Sequence, residues 1–471
     1  MQRWKVPAIL AGAVAAVVVG LGPWIRSPFA TVTRHEPPPR PPIVTPHTVA
    51  PVTSLGGITM EVLPSQSATR AAQDSDLFVA VRLTARSMPS VARPPLNLAL
   101  VLDKSGSMTS ERKIDYLRKA AKQLVETLSP SDVLSIVVYD SEVELLAAAS
   151  PVQDKARLCK LIDAITPSGS TNLSGGFLRG CEEVTKNRQT GWINRVLLMT
   201  DGLANNGETD PARLNRMAAE WHAKGITLST FGMGAEFNED LLQGMAESGS
   251  GQYHFIESPE QVSGIYASEL KDLMQTAARQ AVLRITPAAG VRVGDVYGYS
   301  VRRDGSSTLV ALGDLYGGQT RKVVLRLTLD SAQPGSRPVG AFELAFRDVQ
   351  SDSPQRLSRP LAVEAVDDDA RVAASRDLRV LETVESTQAA VTLDSAMRLY
   401  QTGKRDEAKR VLMNQLSLTT DRNRKELKSQ ALDTQVQSYR SMLNRFDAPM
   451  SDAQSSLAVK RGKVMALEAA R

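Results

Sequence analysis

One apolar run constrains the fold of this chain more than any other feature of its sequence. Residues 96–102 are apolar at nearly every position, and the run ends at Asp103. A segment that is apolar at successive rather than alternate positions is typical of a central parallel strand, which is covered on both faces. Ligands of open α/β sheets bind at the carboxyl ends of such strands. A ligand site is therefore expected at and just after Asp103.

Oxygen-bearing side chains follow this strand. Asp103, Ser105 and Ser107 supply one carboxylate and two hydroxyl groups within a single turn, in the pattern Asp-x-Ser-x-Ser. Hard oxygen ligands of this kind suit Mg²⁺ or Ca²⁺. Because three ligands do not complete a six-coordinate site, further donors are expected from later loops. Thr171 lies in a loop between two helical patterns, and Asp201 follows a second buried strand pattern.

The order and spacing of these five residues resemble the metal-ion-dependent adhesion site of von Willebrand factor A (VWA) domains. The resemblance covers about residues 96–276, and the sequence Asp-Gly-Leu-Ala-Asn that begins at Asp201 is most similar to bacterial homologues of calcium-activated chloride channels. Inter-alpha-trypsin inhibitor heavy chains are more distant relatives. The resemblance implies a bound Mg²⁺ ion (or Ca²⁺ or Mn²⁺), with an Asp or Glu carboxylate of a protein partner as its remaining ligand.

Alternating strand and helix patterns within residues 96–276 predict a doubly wound, mostly parallel α/β sheet. Strand patterns also occur on both sides of it, at residues 57–95 and 277–365. Since the two strands of the first segment cannot form a stable domain alone, we predict one β-sandwich built from both segments, with the VWA domain inserted in it. Residues 366–447 predict a helical hairpin, and residues 448–471 a flexible tail.

The amino-terminal residues 1–26 predict a membrane anchor. Arg3 and Lys5 precede an uncharged stretch from Val6 to Ile25, which is long enough to span the hydrocarbon core of a bilayer, about 30 Å. The residues that follow fit a cleavage site poorly, which favours an uncleaved anchor over a signal peptide. Cleavage, which would make the chain secreted, stays open as the alternative. Either reading places the rest of the chain outside the cytoplasm, on the periplasmic or cell-surface side, beyond a Pro-rich linker at residues 27–56.

The charge of the chain does not indicate a nucleic-acid partner. The net charge of +5 is small for 471 residues, and no Lys/Arg run is interleaved with aromatic residues, so nucleic acid is not an expected partner.

Cys159 and Cys181 are the only cysteines. In an oxidising compartment they could form a disulfide, and two buried free thiols are the alternative.

No catalytic constellation accompanies the oxygen ligands. Metal-assisted hydrolysis needs a general base near the ion, and the four histidines lie in the linker, on a helix, and on a strand remote from the ligand loops. Ser110 and Lys113 match the Ser-x-x-Lys pattern of penicillin-binding enzymes, but the other motifs of those enzymes are missing, and a helix N-cap explains Ser110 better.

We therefore predict that the chain is not an enzyme. It is expected to be a membrane-anchored, extracytoplasmic module that uses a divalent ion to capture an acidic residue of a partner protein. The alternative is a structural subunit of a bacterial cell-envelope complex, in which the ion only stabilises the loops of the VWA domain.

Overall fold

The computed structural model describes residues 53–87, 93–446 and 450–471. The predicted membrane anchor at residues 1–26, and the predicted linker up to residue 52, lie outside this range. Among the described helices, none combines the length and the apolar character needed to cross a membrane.

The strands of the described residues form three sheets. In chain order they are β1 (Thr53–Leu55), β2 (Ile58–Pro64), β3 (Ala68–Arg70), β4 (Ser75–Ala85), β5 (Leu96–Asp103), β6 (Val133–Tyr139), β7 (Val143–Pro151), β8 (Ile193–Thr200), β9 (Thr227–Met233), β10 (Ser250–Ile256), β11 (Thr276–Pro287), β12 (Val291–Tyr297), β13 (Val301–Asp304), β14 (Ser307–Tyr316), β15 (Thr320–Leu329), β16 (Gly335–Asp348) and β17 (Pro354–Val366).

The α-helices fall into two groups, those that cover the α/β sheet and those near the carboxyl terminus. The first group is α1 (Lys113–Thr127), α2 (Lys155–Asp163), α3 (Leu173–Lys186), α4 (Pro211–Ala223), α5 (Glu239–Ser248) and α6 (Val262–Met274). The second group is α7 (Asp369–Ala374), α8 (Leu378–Gln401), α9 (Arg405–Arg422), α10 (Gln430–Phe446) and α11 (Asp452–Ala470).

Two of the sheets form a β-sandwich, with strand orders β1-β2-β4-β15-β12 and β13-β14-β11-β16-β17-β3. Each sheet contains strands from both sides of the α/β domain, because β4 pairs with β15 and β3 with β17. The α/β domain is thus inserted in the sandwich. Thr53 already belongs to the sandwich through β1, so the predicted boundary between linker and sandwich at residues 56 and 57 is wrong.

The third sheet has the order β10-β9-β8-β5-β6-β7, and only β7 runs antiparallel to its neighbour. Every residue of β5 is buried, since helices cover both faces of the sheet. Alternate residues of β5 pack against α1, α2 and α6 on one face and against α3 on the other, where α4 and α5 also lie. The predicted doubly wound, mostly parallel fold is confirmed.

The two cysteines lie on opposite faces of this sheet. Cys159 of α2 packs against the core on the α1 side, and Cys181 of α3 is buried in the core on the other side. Both are free thiols, so the disulfide between them is wrong; of the alternative of two buried free thiols, only Cys181 is buried, and Cys159 is half-buried. Burial raises the pKa of the Cys181 thiol well above its usual value, which keeps that thiol protonated and unreactive.

A buried ion cluster joins the α/β domain to the sandwich. Arg195 of β8 is fully buried, and its guanidinium lies 3.0 Å from Glu269 of α6 and 2.6 Å from Asp314 of β14. Glu269 also accepts a hydrogen bond from His254 at 2.8 Å when that ring nitrogen is protonated. Burial alone would raise the pKa of Glu269, but His254 and Arg195 outweigh it and lower the pKa to about 2.

The lowered pKa of Glu269 predicts a specific acid sensitivity. A carboxyl with a depressed pKa in the folded state stabilises the fold above its unfolded pKa and loses that contribution as pH falls. We expect the stability advantage of the wild type over Glu269→Gln to shrink by about 2 kcal/mol between pH 5 and pH 3. Urea unfolding of both proteins at each pH measures this difference, and an advantage that does not change with pH would contradict the assignment.

The predicted helical hairpin at residues 366–447 is confirmed in α8 and α9, which share an apolar core and are joined at the left-handed Gly403, but it ends at Arg422. A π-helical turn at Asn423–Leu427 and a left-handed Lys428 separate α9 from α10, so the second helix of the hairpin does not continue to residue 447. Residues 452–470, predicted to be part of a flexible tail, form α11, whose first turn is capped by Ser451. The predicted flexible tail is therefore wrong, and so is the predicted extent of the hairpin.

Small residues and buried lysines explain why α11 is ordered. A Cβ added at Gly462 would lie 2.6 Å from the Sδ atom of Met397, so α11 packs closely on α8 at this point. Lys460 and Lys463 are almost completely buried, and both contact the carboxylate of Glu239 at the start of α5. The sequence pattern of α11 lacks a clear apolar face because these two lysines replace apolar residues in it.

Candidate metal site

The five predicted donors come from three loops at the carboxyl edge of the α/β sheet. Asp103 ends β5, and Ser105 and Ser107 lie at the start of the 3-10 turn Gly106–Arg112 that leads to α1. Thr171 lies two residues before α3, and Asp201 directly follows β8, the neighbour of β5. The structure brings all five side chains to one place.

Hydrogen bonds connect the donors of the first and third loops. The carboxylate of Asp103 accepts from the backbone N–H of Ser105 at 2.8 Å and from the Thr200 hydroxyl at 2.7 Å. The hydroxyl oxygens of Ser105 and Ser107 are 3.1 Å apart. Ser107 donates to Oδ1 of Asp201 at 2.6 Å. The two carboxylates therefore belong to one connected cluster.

Thr171 faces this cluster across Gly202. A Cβ added at Gly202 would lie 3.6 Å from the Ser107 Oγ and 3.7 Å from the Thr171 Oγ1, so both hydroxyl groups border the same small space. The backbone of Thr171 is fixed from the third loop, because its N–H donates to the Asn205 side-chain oxygen at 2.8 Å.

The loop before Thr171 is tied to the loop after Asp103. The backbone N–H of Ser168 donates to the carbonyl of Lys104 at 2.7 Å, and the N–H of Gly106 donates to the carbonyl of Gly169 at 3.1 Å. The Lys104 ammonium lies 2.6 Å from the Asp140 carboxylate, which also accepts from the Ser168 hydroxyl. Gly169 is required in this loop, since its φ of +67° is left-handed and a Cβ would lie 2.7 Å from the Ser141 Oγ.

Two buried carboxylates lie in this cluster, and among the described residues the one ammonium found against them, that of Lys113, offsets the charge of only one. Asp103 and Asp201 are both 0% exposed. Burial, with a smaller contribution from the charge of Asp201, raises the pKa of Asp103 to about 6, although hydrogen bonds from Ser105 and Thr200 oppose the shift. A divalent cation placed between the two carboxylates would remove this repulsion.

The donor set fits Mg²⁺, Mn²⁺ or Ca²⁺ rather than a transition metal that prefers nitrogen or sulfur. It contains two carboxylates and three hydroxyl groups, all hard oxygen ligands. No group of three or more His, Cys, Asp or Glu side chains that could hold a metal occurs within residues 53–87, 93–446 and 450–471. The hydroxyl groups are thus an essential part of any metal site here.

Lys113 also belongs to this cluster, although the sequence did not predict it. Its ammonium lies 2.8 Å from Oδ2 of Asp201, and the lysine side chain is only 7% exposed. The predicted N-cap at Ser110 is wrong, since α1 begins after Arg112, a left-handed residue without a side-chain capping bond. A lysine in the first turn of a helix opposes the helix dipole, and this was the one available signal that Lys113 has a buried acidic partner.

The chain thus contains a doubly wound α/β domain with an oxygen-rich site at the carboxyl edge of its sheet. Residues 96–255 match the family described as the von Willebrand factor type A domain. This part of the chain is therefore a VWA domain, as the motif at Asp103, Thr171 and Asp201 predicted.

Relatives with similar sequences include bacterial and animal proteins. The chain is 27% identical to an uncharacterized protein of Synechocystis over 69% of this chain and 78% of that protein. It is 30% identical to the uncharacterized protein YfbK of Escherichia coli over 53% of this chain but only 44% of that protein. Human inter-alpha-trypsin inhibitor heavy chain H3 is 27% identical over 38% of this chain, which spans 22% of the heavy chain.

Solved structures extend the similarity of the fold beyond the VWA domain. A von Willebrand factor type A protein of Catenulispora acidiphila superposes with a TM-score of 0.66 at 13% identity, covering 86% of this chain and 96% of that one. The ArnB paralog VWA2 of Sulfolobus acidocaldarius gives a TM-score of 0.57 at 17% identity, covering 87% of this chain and 99% of that one. Because both alignments include most of each chain, the fold shared with them is larger than the α/β domain alone.

Proposed function

We propose that this chain is a protein-binding module whose VWA domain holds Mg²⁺ (or Mn²⁺ or Ca²⁺) at Asp103, Ser105, Ser107, Thr171 and Asp201. The ion would capture an Asp or Glu carboxylate of a partner protein. The observation that carries the proposal is the convergence of two buried carboxylates and three hydroxyl groups at one edge of the sheet. Five donors leave one position of a six-coordinate ion for a ligand from outside.

An apolar side chain beside the cluster supports a protein partner. Leu203, which directly follows Gly202, is 57% exposed. A single exposed apolar residue is common on protein surfaces, but at this position it would be covered by a partner bound at the ion. Such a partner would present its carboxylate to the ion and an apolar side chain to Leu203.

We also propose that the chain is not an enzyme and that it acts outside the cytoplasm, anchored by residues 1–26. The two described histidines have partners away from the cluster, since His222 contacts the Ser250 hydroxyl and His254 contacts Glu269. Neither is available as a general base beside the ion. The anchor is supported by the uncharged stretch that follows Arg3 and Lys5.

Thr171→Ala tests the proposal without removing a charge. The substitution deletes one donor hydroxyl, and we expect capture of a partner from detergent-solubilised membranes in the presence of Mg²⁺ to fall at least tenfold, to the level seen with a chelator. Thr127→Ala is the matched control, because among the described residues the Thr127 hydroxyl donates only to the carbonyl of Gln123 in its own helix α1. Unchanged capture by a folded Thr171→Ala protein would instead favour a structural subunit whose ion only stabilises the loops.

Leu203→Ser tests the apolar part of the same surface. Burying a leucine side chain in an interface contributes about 1.5–3 kcal/mol, so the affinity for the captured partner is expected to fall by about tenfold. Leu418→Ser on α9 is the matched control, since Leu418 is also exposed, at 55%, and lies in a different part of the fold. Equal affinities of the two variants would remove Leu203 from the proposed interface.

A further inference from the structure

Lys113 places a fixed positive charge directly behind the cluster. Its ammonium is 2.8 Å from Oδ2 of Asp201, while Oδ1 of the same carboxylate accepts the hydroxyl of Ser107 at 2.6 Å. The two oxygens of Asp201 therefore have different neighbours. Oδ2 is held by the lysine, and Oδ1 faces the donor hydroxyl groups.

The surroundings of Lys113 keep its ammonium in this position. The turn after β9 lies against it, since a Cβ added at Gly234 would be 3.6 Å from the lysine Nζ. That turn is fixed on two sides. The N–H of Gly234 donates to the carbonyl of Ile256 at 2.8 Å, and the carbonyl of Ala235 accepts from the hydroxyl of Ser456 on α11 at 2.7 Å.

The charges of the cluster give the lysine a functional consequence. Asp103, Asp201 and Lys113 together carry a formal charge of −1 when all are ionised, so a bound divalent ion would bring the cluster to +1. Without the lysine the loaded cluster would be neutral. The nearby Lys104 does not alter this sum, because its ammonium is neutralised by Asp140 at 2.6 Å.

We propose that Lys113 is a positioning and specificity-determining residue that weakens metal uptake but strengthens the affinity of the metal-loaded site for a carboxylate. The proposal rests on the proposed function, and it explains why an anionic ligand would be preferred over water or a neutral donor. The lysine repels the entering cation and attracts the entering anion through the same Coulomb interaction, which has opposite signs for the two.

Lys113→Met keeps the length and apolar stem of the side chain and removes its charge. We expect the dissociation constant for Mn²⁺ to fall about tenfold, because a divalent ion no longer meets an adjacent ammonium. The affinity of the metal-loaded site for acetate is expected to fall about threefold. Acetate carries one charge and Mn²⁺ carries two, so the interaction energy of acetate with the lysine is about half that of the ion. A purely structural role of the lysine would weaken both binding steps.

The test measures Mn²⁺ uptake by titration calorimetry and acetate binding to the Mn²⁺-loaded protein by water-proton relaxation at constant ionic strength. Lys113→Arg should restore acetate affinity by restoring the charge. Lys122→Met, on the same helix α1, is the matched control, because Lys122 pairs with Asp163 on the surface at 2.6 Å. If Lys113→Met does not fold, Lys113→Gln, which can still donate to Asp201, carries the same two expectations.

Tighter binding of Mn²⁺ together with weaker binding of acetate by the neutral variants would support the proposal. If the wild type binds Mn²⁺ and the neutral variants show unchanged or weaker uptake, or unchanged or stronger acetate binding, the role of Lys113 is overturned while the metal site stands. No uptake by the wild type overturns the metal site itself and this inference with it.

Discussion

Replacing Arg195 by Met is expected to lower the free energy of unfolding by about 3–5 kcal/mol. The guanidinium is the shared partner of Glu269 and Asp314, which are almost completely buried. Removing it leaves two carboxylates in the interior without their cation, and the penalty for such unpaired charges exceeds the energy of an ordinary lost contact. Because Asp314 belongs to the sandwich, the loss should also loosen its junction with the VWA domain.

A control variant separates the effect of the buried ion cluster from the general effect of replacing an arginine by methionine. Arg213→Met is the matched control, since Arg213 forms an exposed ion pair with Glu208 on the surface of the same domain. Its loss is expected to change stability by less than about 1 kcal/mol. Urea unfolding at neutral pH measures both variants. Similar stabilities of the two would show that the buried cluster does not hold the domains together.

Asp103→Asn is expected to stabilise the metal-free chain and to abolish metal uptake. A carboxyl whose pKa is raised in the folded state destabilises the fold as pH rises from its unfolded pKa through its folded pKa, here from 3.8 to about 6. At pH 8 the ionised side chain should therefore cost about 3 kcal/mol, which the neutral amide of similar shape avoids. The same negative charge of the Asp103 carboxylate is needed to bind the metal ion.

Thermal unfolding with and without Mg²⁺ separates these two effects. In chelator the variant is expected to unfold at a higher temperature than the wild type. When Mg²⁺ is added at a hundred times its dissociation constant, the wild type should gain about 2.7 kcal/mol and the variant nothing. A variant that is less stable in chelator and equally stabilised by Mg²⁺ would contradict the role of Asp103.

The α/β sheet and its five donors could be predicted from sequence because both depend on local order. A strand buried on both faces has a continuous apolar pattern, as residues 96–102 show, and parallel strands place the residues after them at one edge of the sheet. Asp103 ends β5 and Asp201 directly follows the neighbouring strand β8, so their proximity follows from the topology alone.

Lys113, Arg195 and α11 could not be predicted in this way, because their roles depend on partners far away in the sequence. Lys113 meets Asp201, and Arg195 meets Asp314 of the sandwich, only after the chain has folded. In α11, Lys460 and Lys463 occupy positions where a helix normally buries apolar residues, and no local pattern reveals the acidic residues that α5 supplies. A charged residue at a core position indicates that a buried partner exists, but the sequence does not show which residue that partner is.

Titration calorimetry of the wild-type protein with Mn²⁺ and Mg²⁺ measures whether the VWA domain binds a metal ion, with the Asp103→Asn protein as the reference. We expect one ion to bind per wild-type chain and none to bind to the variant. Absence of uptake by the folded wild type, or equal uptake by both proteins, would contradict the assignment of a metal site to Asp103, Ser105, Ser107, Thr171 and Asp201.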